Sequence, residues 1–280
     1  MSVWRLAHGR SLDLSSSGIV MGILNVTPDS FSDGGRHADV AGAVDAALAM
    51  AAEGAAIIDI GGESTRPDAT PVDAEQERAR VLPVIQTLAA REKILISVDT
   101  YRACTAKAAI AAGAHIVNDV TAGLADDAML PFVRDGGVGY VAMHNSRSEY
   151  CRQREGDPVA DQCAFARVLQ DRLRAAGVAE DQVVFDPGIG FGKDAEENLV
   201  LLRNLRSLVN LGFPLLLGTS RKRFLGALTG RAADERDSAT VATTVLGRQA
   251  GAHLFRVHDV ASNRDALSVT DAILQAKELA

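Results

Sequence analysis

Cysteine is scarce in this sequence of 280 residues, and it occurs in no paired spacing. The three cysteines are Cys104, Cys151 and Cys163, an odd number without a Cys-x-x-Cys motif. This pattern argues against a disulfide framework and against a structural zinc site. We therefore expect thiols that are buried or incidental to function.

Long hydrophobic runs, an N-terminal leader and clusters of basic residues are also lacking. No window holds the roughly 18 apolar residues of a membrane helix, and the first residues, MSVWRLAHGRSLDLSSSG, contain no apolar stretch of signal-peptide length. The net charge is −7. We therefore expect a cytoplasmic protein that binds neither nucleic acid nor a membrane, and in which any anionic ligand is held by a local basic cluster.

Hydrophobic residues make up 47% of the chain and are grouped into short apolar runs. Segments rich in Ala, Leu, Glu and Arg with helical periodicity separate these runs. Near-continuous apolar strands that alternate with helices predict a parallel sheet covered on both faces. The predicted strands are residues 19–26, 55–61, 93–100, 115–120, 139–144, 182–187, 214–219 and 253–258.

The number of these units predicts the fold. Eight strand–helix units in about 260 residues match the size of a closed (β/α)8 TIM barrel, an α/β fold. A doubly wound open sheet is the alternative, which the count of eight and the lack of a second domain disfavour. We expect one barrel domain over 1–280, with its core at about 19–278. Residues 1–18 are expected to form a short extension, a hairpin over the barrel floor.

Every predicted strand ends in or near polar residues, although an apolar core strand has no folding reason to do so. In a barrel these ends meet on one rim, where active sites lie. A helix N-cap is the alternative explanation for any single Asp or Asn, including Asp99, but it does not account for eight endings together. The residues concerned are Asn25, Glu63, Asp99, Asn118, Asp119, His144, Asp186, Ser220, Lys222, Arg256 and His258.

The rim residues divide by charge into two sets. Asp99, Asn118 and Asp186 suit a flat heterocycle rich in N–H donors, because Asp accepts paired hydrogen bonds and Asn both donates and accepts. The cationic set suits a phosphate or diphosphate, which is informative in an acidic protein. The members of the cationic set are Arg66, Lys222, Arg256 and His258.

The segment DPGIGFGK, residues 186–193, looks like a glycine-rich phosphate loop but satisfies neither common nucleotide motif. We interpret its glycines as allowing a close backbone approach beneath a planar ligand. Phe191 is then a stacking or wall residue, with ordinary core packing as the alternative.

Seven motifs, in the same order, together resemble the dihydropteroate synthase family. They are MGILNVTPDSFSDGG, GGESTRPDAT, SVDTYRA, VNDVTAG, FDPGIGFGK, GTSRKRFLG and RVHDV, and the resemblance as a whole extends from about residue 11 to residue 270. The resemblance implies a (β/α)8 barrel of the folate pathway. Such an enzyme joins p-aminobenzoate to 7,8-dihydropterin-6-ylmethyl diphosphate, releases diphosphate and forms 7,8-dihydropteroate. It also implies Mg²⁺ as cofactor, a homodimer, and sensitivity to sulfonamides, which mimic p-aminobenzoate.

The resemblance assigns roles to individual residues. The residues that match the pterin site are Asp99, Asn118, Asp186 and Lys222. Those that match the diphosphate site are Asn25, Arg66, Arg256 and His258, with Asn25 also the Mg²⁺ ligand. Those that match the p-aminobenzoate site are Thr65, Arg66, Pro67, Phe191 and Ser220, and Phe31 and Asp33 match a mobile first loop.

The resemblance also implies an SN1-like loss of Mg–diphosphate. Mg²⁺ and the cations would stabilise charge on the leaving group, while carboxylates would stabilise positive charge in the pterin ring. The residues expected to be catalytic are Asp99, Asp186, Lys222, Arg256 and His258. The oxygen- and glycine-rich stretch at 25–35 would close over the departing diphosphate.

Two segments fit no expected pattern. The segment HNSRSEYCRQREGDPVADQ follows the fifth strand, and TGRAADERDSAT, residues 229–240, interrupts the seventh helical region. We expect the second of them to be a surface loop beside a dimer interface.

Two other functions are alternatives to the synthase reaction. A folate-dependent corrinoid methyltransferase would lack the STRP, SRK and RVHD residues that this chain retains. A non-catalytic pterin-binding paralogue should have lost anion-site or loop residues, and none of the matched positions is lost. Both alternatives are therefore disfavoured.

Overall fold

Eight parallel strands form the central sheet of the computed structural model, which describes residues 3–27, 36–63, 72–91, 94–146 and 156–276. The strands are β3 (Ile19–Asn25), β4 (Ile57–Gly61), β5 (Leu95–Asp99), β6 (Ile116–Asp119), β7 (Gly139–Met143), β8 (Val183–Asp186), β9 (Leu216–Leu217) and β10 (Leu254–Val257). All eight predicted strands are confirmed, each within about two residues of its expected bounds. Their spatial order is β8-β7-β6-β5-β4-β3-β10-β9.

The sheet closes on itself between its two end strands. A parallel bridge joins Phe185 of β8 to Leu215, and the Phe185 N–H donates to the Pro214 carbonyl at 2.9 Å. The prediction of a (β/α)8 barrel is therefore confirmed, and the open-sheet alternative is excluded. Because the strands are parallel, all their carboxyl ends lie on the same rim.

Helices follow the strands and cover the outside of the barrel. They are α1 (Arg36–Ala52), α2 (Ala74–Ala89), α3 (Ala103–Ala111), α4 (Met129–Gly136), α5 (Pro158–Ala176), α6 (Ala195–Arg203), α7 (Leu205–Val209), α8 (Arg223–Thr229), α9 (Asp237–Ala250) and α10 (Val260–Gln275). The main core lies between them and the outward side chains of the strands. Within the described ranges, no helix is long and apolar enough to cross a membrane. The expected cytoplasmic location stays a prediction.

The N-terminal hairpin seals the barrel floor, as predicted. Strands β1 (Val3–Arg5) and β2 (Ser11–Asp13) pair antiparallel. Trp4, Leu6 and Leu14 are buried against apolar residues from the lower ends of the barrel strands. The Trp4 indole N–H donates to the Gln182 carbonyl at 2.8 Å. The hairpin therefore covers this end of the barrel, and the polar strand ends lie at the opposite end.

Candidate active site

Strand register brings three of the predicted rim residues to one level of the barrel, together with Gly61. Asn25 pairs with Gly61, Gly61 with Asp99, and Asp99 with Asn118, so all four lie at one level of the barrel. Gly61 has no side chain, and a Cβ there would lie 3.8 Å from Asn25 Oδ1 and from Asp99 Oδ2. The missing side chain leaves room between these polar groups at the mouth.

Arg256, a member of the cationic set, makes hydrogen bonds to carboxylates at the barrel mouth. Its Nε donates to Asp59 Oδ2 at 2.6 Å, and its Nη2 donates to Asp99 Oδ2 at 2.8 Å. Asn118 Nδ2 donates to the same Asp59 oxygen at 3.0 Å. The two sets are therefore joined by hydrogen bonds, because the Arg256 side chain on β10 reaches the carboxylates of β4 and β5.

Asp59 is a site residue that the sequence reasoning missed. It is the third residue of β4 and is fully buried. Its Oδ1 and the Oγ of Ser97, the residue paired with it on β5, have no hydrogen-bond partner among the described residues. The available signal was a carboxylate in the middle of the apolar run AAIIDIG, since a buried charge is costly unless it is paired.

Burial strongly affects the ionisation of these groups. Desolvation, together with the nearby Asp59 charge, raises the pKa of Asp99 to about 7 against the opposing pull of Arg256. Desolvation also raises the pKa of Asp186, which Lys222 and the Gly188 N–H oppose. Burial acts to lower the pKa of Arg256, but the carboxylates of Asp59 and Asp99 hold it above its usual value. The mouth thus holds a permanent cation beside carboxyls that can gain or lose a proton.

The N-cap alternative for Asp99 is excluded. Helix α3 begins after Arg102, whose side chain makes no cap hydrogen bond, and the Ala103 N–H is accepted by Asp126 Oδ2 at 2.8 Å. Asp119, by contrast, has a structural role. Its oxygens accept hydrogen bonds from Thr121, Gly123 and Tyr140, all at 2.7–2.8 Å. Only one of these two aspartates is therefore available to a ligand.

The loops after β8 and β9 bring an aromatic ring and a cation together at the mouth. The Lys222 ammonium donates to the Ile189 carbonyl and lies 4.4 Å from the centre of the Phe191 ring. Gly188 has a φ of 61°, and a Cβ there would lie 1.9 Å from the His144 carbonyl oxygen. The close approach that requires this glycine is therefore to the chain itself, not to a ligand, which corrects the interpretation of that position.

Ser220 and His258 form a pair at the ends of β9 and β10. Ser220 Oγ lies 2.9 Å from His258 Nδ1 and accepts the His258 backbone N–H at 3.1 Å. Ser220 is 6% exposed. A residue that the resemblance assigns to p-aminobenzoate thus also orients an imidazole assigned to diphosphate.

His144 belongs to the support behind the site. It is buried, its Nδ1 lies 3.0 Å from the Gln162 amide nitrogen, and its Nε2 lies 3.1 Å from Asp161 Oδ2. Gln162 also donates to the Pro187 carbonyl at 3.0 Å. Residues 144–162 had no assigned pattern in the sequence. Their described members His144 and Gln162 thus support the chain at Pro187, directly after Asp186.

Arg102 holds the chain on both sides of residues 64–71. Its Nη1 donates to Glu63 Oε2 at 2.6 Å and its Nη2 to the Val72 carbonyl at 2.7 Å. Glu63 is therefore an ion-pair partner and not a free rim carboxylate. Some predicted residues lie outside the described ranges, namely Phe31, Asp33, Thr65, Arg66 and Pro67.

Comparisons with known proteins agree on one family. Residues 21–258 match the family described as pterin binding enzyme. A dihydropteroate synthase of Mycobacterium leprae is 47% identical over 267 residues, which is 92% of this chain and 94% of that protein.

Solved structures give the same result. A Xanthomonas albilineans dihydropteroate synthase with 4-aminobenzoic acid is similar at a TM-score of 0.92 and 44% identity, covering 98% of this chain and 100% of the other. A Yersinia pestis dihydropteroate synthase in complex with a sulfonamide drug is similar at a TM-score of 0.89 and 39% identity, covering 96% and 98%.

Proposed function

This chain belongs to the dihydropteroate synthase family of pterin-binding enzymes, and from that premise we propose how its barrel mouth works. It is an enzyme that condenses p-aminobenzoate with 7,8-dihydropterin-6-ylmethyl diphosphate, yielding 7,8-dihydropteroate and diphosphate. The assignment of this reaction to the barrel mouth rests on one observation. Buried carboxylates and an amide meet a guanidinium and an ammonium there, which suits a donor-rich ring joined to an anion.

The pterin would bind to Asp99, Asn118, Asp186 and Lys222. The buried carboxylates accept ring and amino N–H groups, and the Asn118 amide can donate and accept. The Lys222 ammonium, which contacts the Ile189 carbonyl and the Phe191 ring, would turn towards an acceptor atom of the pterin. Arg256 must share Asp99 with the incoming ring, since its Nη2 donates to that carboxylate.

The diphosphate would lie beside Asn25, Arg256 and His258, with Arg66 added from outside the described residues. Asn25 also fits a Mg²⁺ ion, because its amide oxygen is a hard donor and the missing side chain of Gly61 leaves space beside it. Bound Mg²⁺ would neutralise charge on the diphosphate. Within the described ranges no cluster of three or more His, Cys, Asp or Glu side chains could hold a metal. Water and diphosphate oxygens would therefore complete the coordination shell.

The difficult step is breaking the bond between carbon and the diphosphate oxygen. Arg256 and His258 stabilise the charge that grows on the leaving oxygens, while Asp99 and Asp186 stabilise positive charge spreading into the ring. The amine of p-aminobenzoate is a weak base and neutral at pH 7, so its attack needs no strong general base. An SN1-like path follows from this arrangement of opposite charges.

The p-aminobenzoate would lie against Phe191 and Ser220, with Thr65, Arg66 and Pro67 completing its pocket from the segment outside the described residues. A p-aminobenzenesulfonamide should therefore inhibit competitively. Increasing its concentration should raise the apparent KM for p-aminobenzoate and leave kcat unchanged. Steady-state kinetics would test this, and an unchanged apparent KM for p-aminobenzoate at a high sulfonamide concentration would contradict it.

The affinity for the pterin should depend on pH through Asp99. Because the ligand donates N–H groups to the ionised carboxylate, binding releases a proton wherever free Asp99 is protonated, which is below its pKa of about 7. Affinity should therefore increase about tenfold between pH 6 and pH 8 and then level off. Calorimetric titration with 6-hydroxymethyl-7,8-dihydropterin would measure this. The dependence should disappear in Asp99→Asn. If it persists there, another group such as Asp186 is responsible.

We also propose that the protein is a homodimer. Four large apolar side chains on α9 and α10 are more than half exposed, namely Leu246, Val269, Ile273 and Leu274. Such a strip is unusual on a monomer, and a two-fold axis would bury it against its own copy. Sedimentation equilibrium should give twice the chain mass of 29.5 kDa. The double variant Leu246→Glu, Ile273→Glu should sediment as a monomer, and a monomeric wild type would refute the proposal.

The proposed function is tested by diphosphate release from the purified protein. The assay contains the pterin diphosphate, Mg²⁺ and p-aminobenzoate, and each is also omitted in turn. Release that requires all three, with dihydropteroate formed in equal amount, is the expected result. Tight pterin binding without release would favour the non-catalytic paralogue.

A further inference from the structure

Arg221 has an unusual backbone conformation between two proposed substrate residues. Its φ is 57°, in the left-handed region that residues other than glycine rarely adopt. The residues on either side are Ser220 and Lys222. The Lys222 N–H donates to the Thr219 carbonyl at 3.2 Å, so the four residues form a tight turn. Such an unfavourable conformation persists only where the surrounding structure holds it.

The segment 229–240, which had no assigned role, supplies most of this support. Asp237 accepts two hydrogen bonds from the Arg221 guanidinium, at 2.8 Å and 2.7 Å. Arg236 Nη1 lies 3.0 Å from the Arg221 carbonyl oxygen and 3.4 Å from that of Lys222, and donates to them. The Arg221 N–H donates to Thr240 Oγ1 at 3.2 Å. The turn is thus held through its backbone and through its side chain.

The position of the Arg236 side chain depends on a glycine in α8. A Cβ at Gly226 would lie 2.2 Å from Arg236 Nη2 and 2.4 Å from its Cζ. Glycine inside a helix is unfavourable relative to alanine, so its presence here has a packing reason. The missing side chain of Gly226 is the space through which the guanidinium reaches the turn.

We propose that Arg236 and Asp237 are positioning residues that hold the Thr219–Lys222 turn, so that the Ser220 hydroxyl reaches His258 and the Lys222 ammonium reaches the pterin. This inference rests on the proposed roles of Ser220 and Lys222. Neither Arg236 nor Asp237 is expected to touch a substrate. The segment is thus more than the surface loop predicted from the sequence.

The test compares Arg236→Ala, Arg236→Lys and Gly226→Ala with a matched control. The control is Arg172→Ala. In the wild type, the Arg172 guanidinium also holds a turn in the left-handed conformation. It donates to the carbonyls of Ala122 and Gly123, at 3.0 Å and 2.8 Å, but that turn carries no proposed substrate residue. The measurements are kcat, KM for each substrate, affinity for 6-hydroxymethyl-7,8-dihydropterin, and melting temperature.

We expect Arg236→Ala and Gly226→Ala to lower kcat/KM for the pterin diphosphate by about 10- to 100-fold, because a misplaced binding group can cost that much. Arg236→Lys should recover part of the loss. The control should lower the melting temperature at least as much and leave kcat and both KM values within about twofold. Combining Gly226→Ala with Arg236→Ala should cost no more than Arg236→Ala alone, because both act through one guanidinium.

Unchanged kinetic constants in Arg236→Ala and Gly226→Ala, or effects that multiply in the double variant, would overturn the inference. If Arg236→Ala does not fold, Gly226→Ala and Arg236→Lys give the same comparison. A wild type that forms no dihydropteroate but binds the pterin in an Arg236-dependent way would refute the proposed function alone. A wild type that neither turns over nor binds the pterin would refute both.

Discussion

Replacing Asp186 by asparagine should lower kcat/KM for the pterin diphosphate by about 100- to 1000-fold. The side chain is 6% exposed at the end of β8, so its carboxylate meets the ligand away from water. Two hydrogen bonds to a buried charge are worth about 3–4 kcal/mol together, which corresponds to that factor. Asparagine also turns an N–H₂ group towards a ligand edge that itself donates.

The same substitution should leave the melting temperature nearly unchanged. Burial raises the pKa of Asp186, which means that its charge is unfavourable in the folded protein, and asparagine removes that charge. Asparagine can still accept the Gly188 N–H, which Asp186 Oδ1 accepts at 2.7 Å. A suitable control is Asp194→Asn in the same loop, because Asp194 caps α6 and asparagine caps equally well. Wild-type kinetics in Asp186→Asn would contradict the pterin assignment.

Replacing Arg256 by alanine should destabilise the protein by about 3 kcal/mol and lower its melting temperature by roughly 6–12 °C. The guanidinium is the shared partner of the buried Asp59 and Asp99 carboxylates. Its removal leaves them to repel each other, and Asp99 is then expected to take up a proton more readily, because the opposing pull of Arg256 on its pKa is lost. The loss of stability should therefore be larger at pH 8 than at pH 6, because protonation relieves the repulsion.

Turnover should also fall by at least about 100-fold in Arg256→Ala, because a cation facing the leaving diphosphate is lost. Free pterin should bind more weakly too, since a protonated Asp99 is a poorer acceptor. A matched control is Arg5→Ala, whose ion pair with Asp181 is about half exposed and should contribute less than about 1 kcal/mol. Equal losses of stability in the two variants, measured by thermal unfolding, would contradict the account of Arg256.

Most of the fold could be predicted because the pattern is local and repeats. Each apolar run such as IVMGIL is long enough to be a buried strand, and eight of them separated by helical patterns leave few architectures. The polar strand ends could be predicted as a site because parallel strands place all their ends on one rim. This is how Asn25, Asp99 and Asn118 were expected to lie together before their register was known.

The rest of the site depends on contacts that composition and spacing do not reveal. Asp59 lies within a strand and not at its end, so a search of strand ends passes over it. The contact of Arg256 with two carboxylates depends on barrel closure, which pairs β10 with β3 and brings the Arg256 side chain within reach of β4 and β5. The left-handed conformation of Arg221 could not be predicted from the local sequence, because arginine rarely adopts a positive φ.

The most direct test of the account is a crystal structure of the protein with 6-hydroxymethyl-7,8-dihydropterin bound. We predict that the amino-pyrimidinone edge lies within hydrogen-bond distance of Asp186 and Asn118. We also predict that Lys222 leaves the Ile189 carbonyl for the ring, and that Asp99 accepts an N–H group from it. A pterin bound elsewhere, or one that leaves the contacts of Lys222 and Asp99 unchanged, would contradict the proposed site.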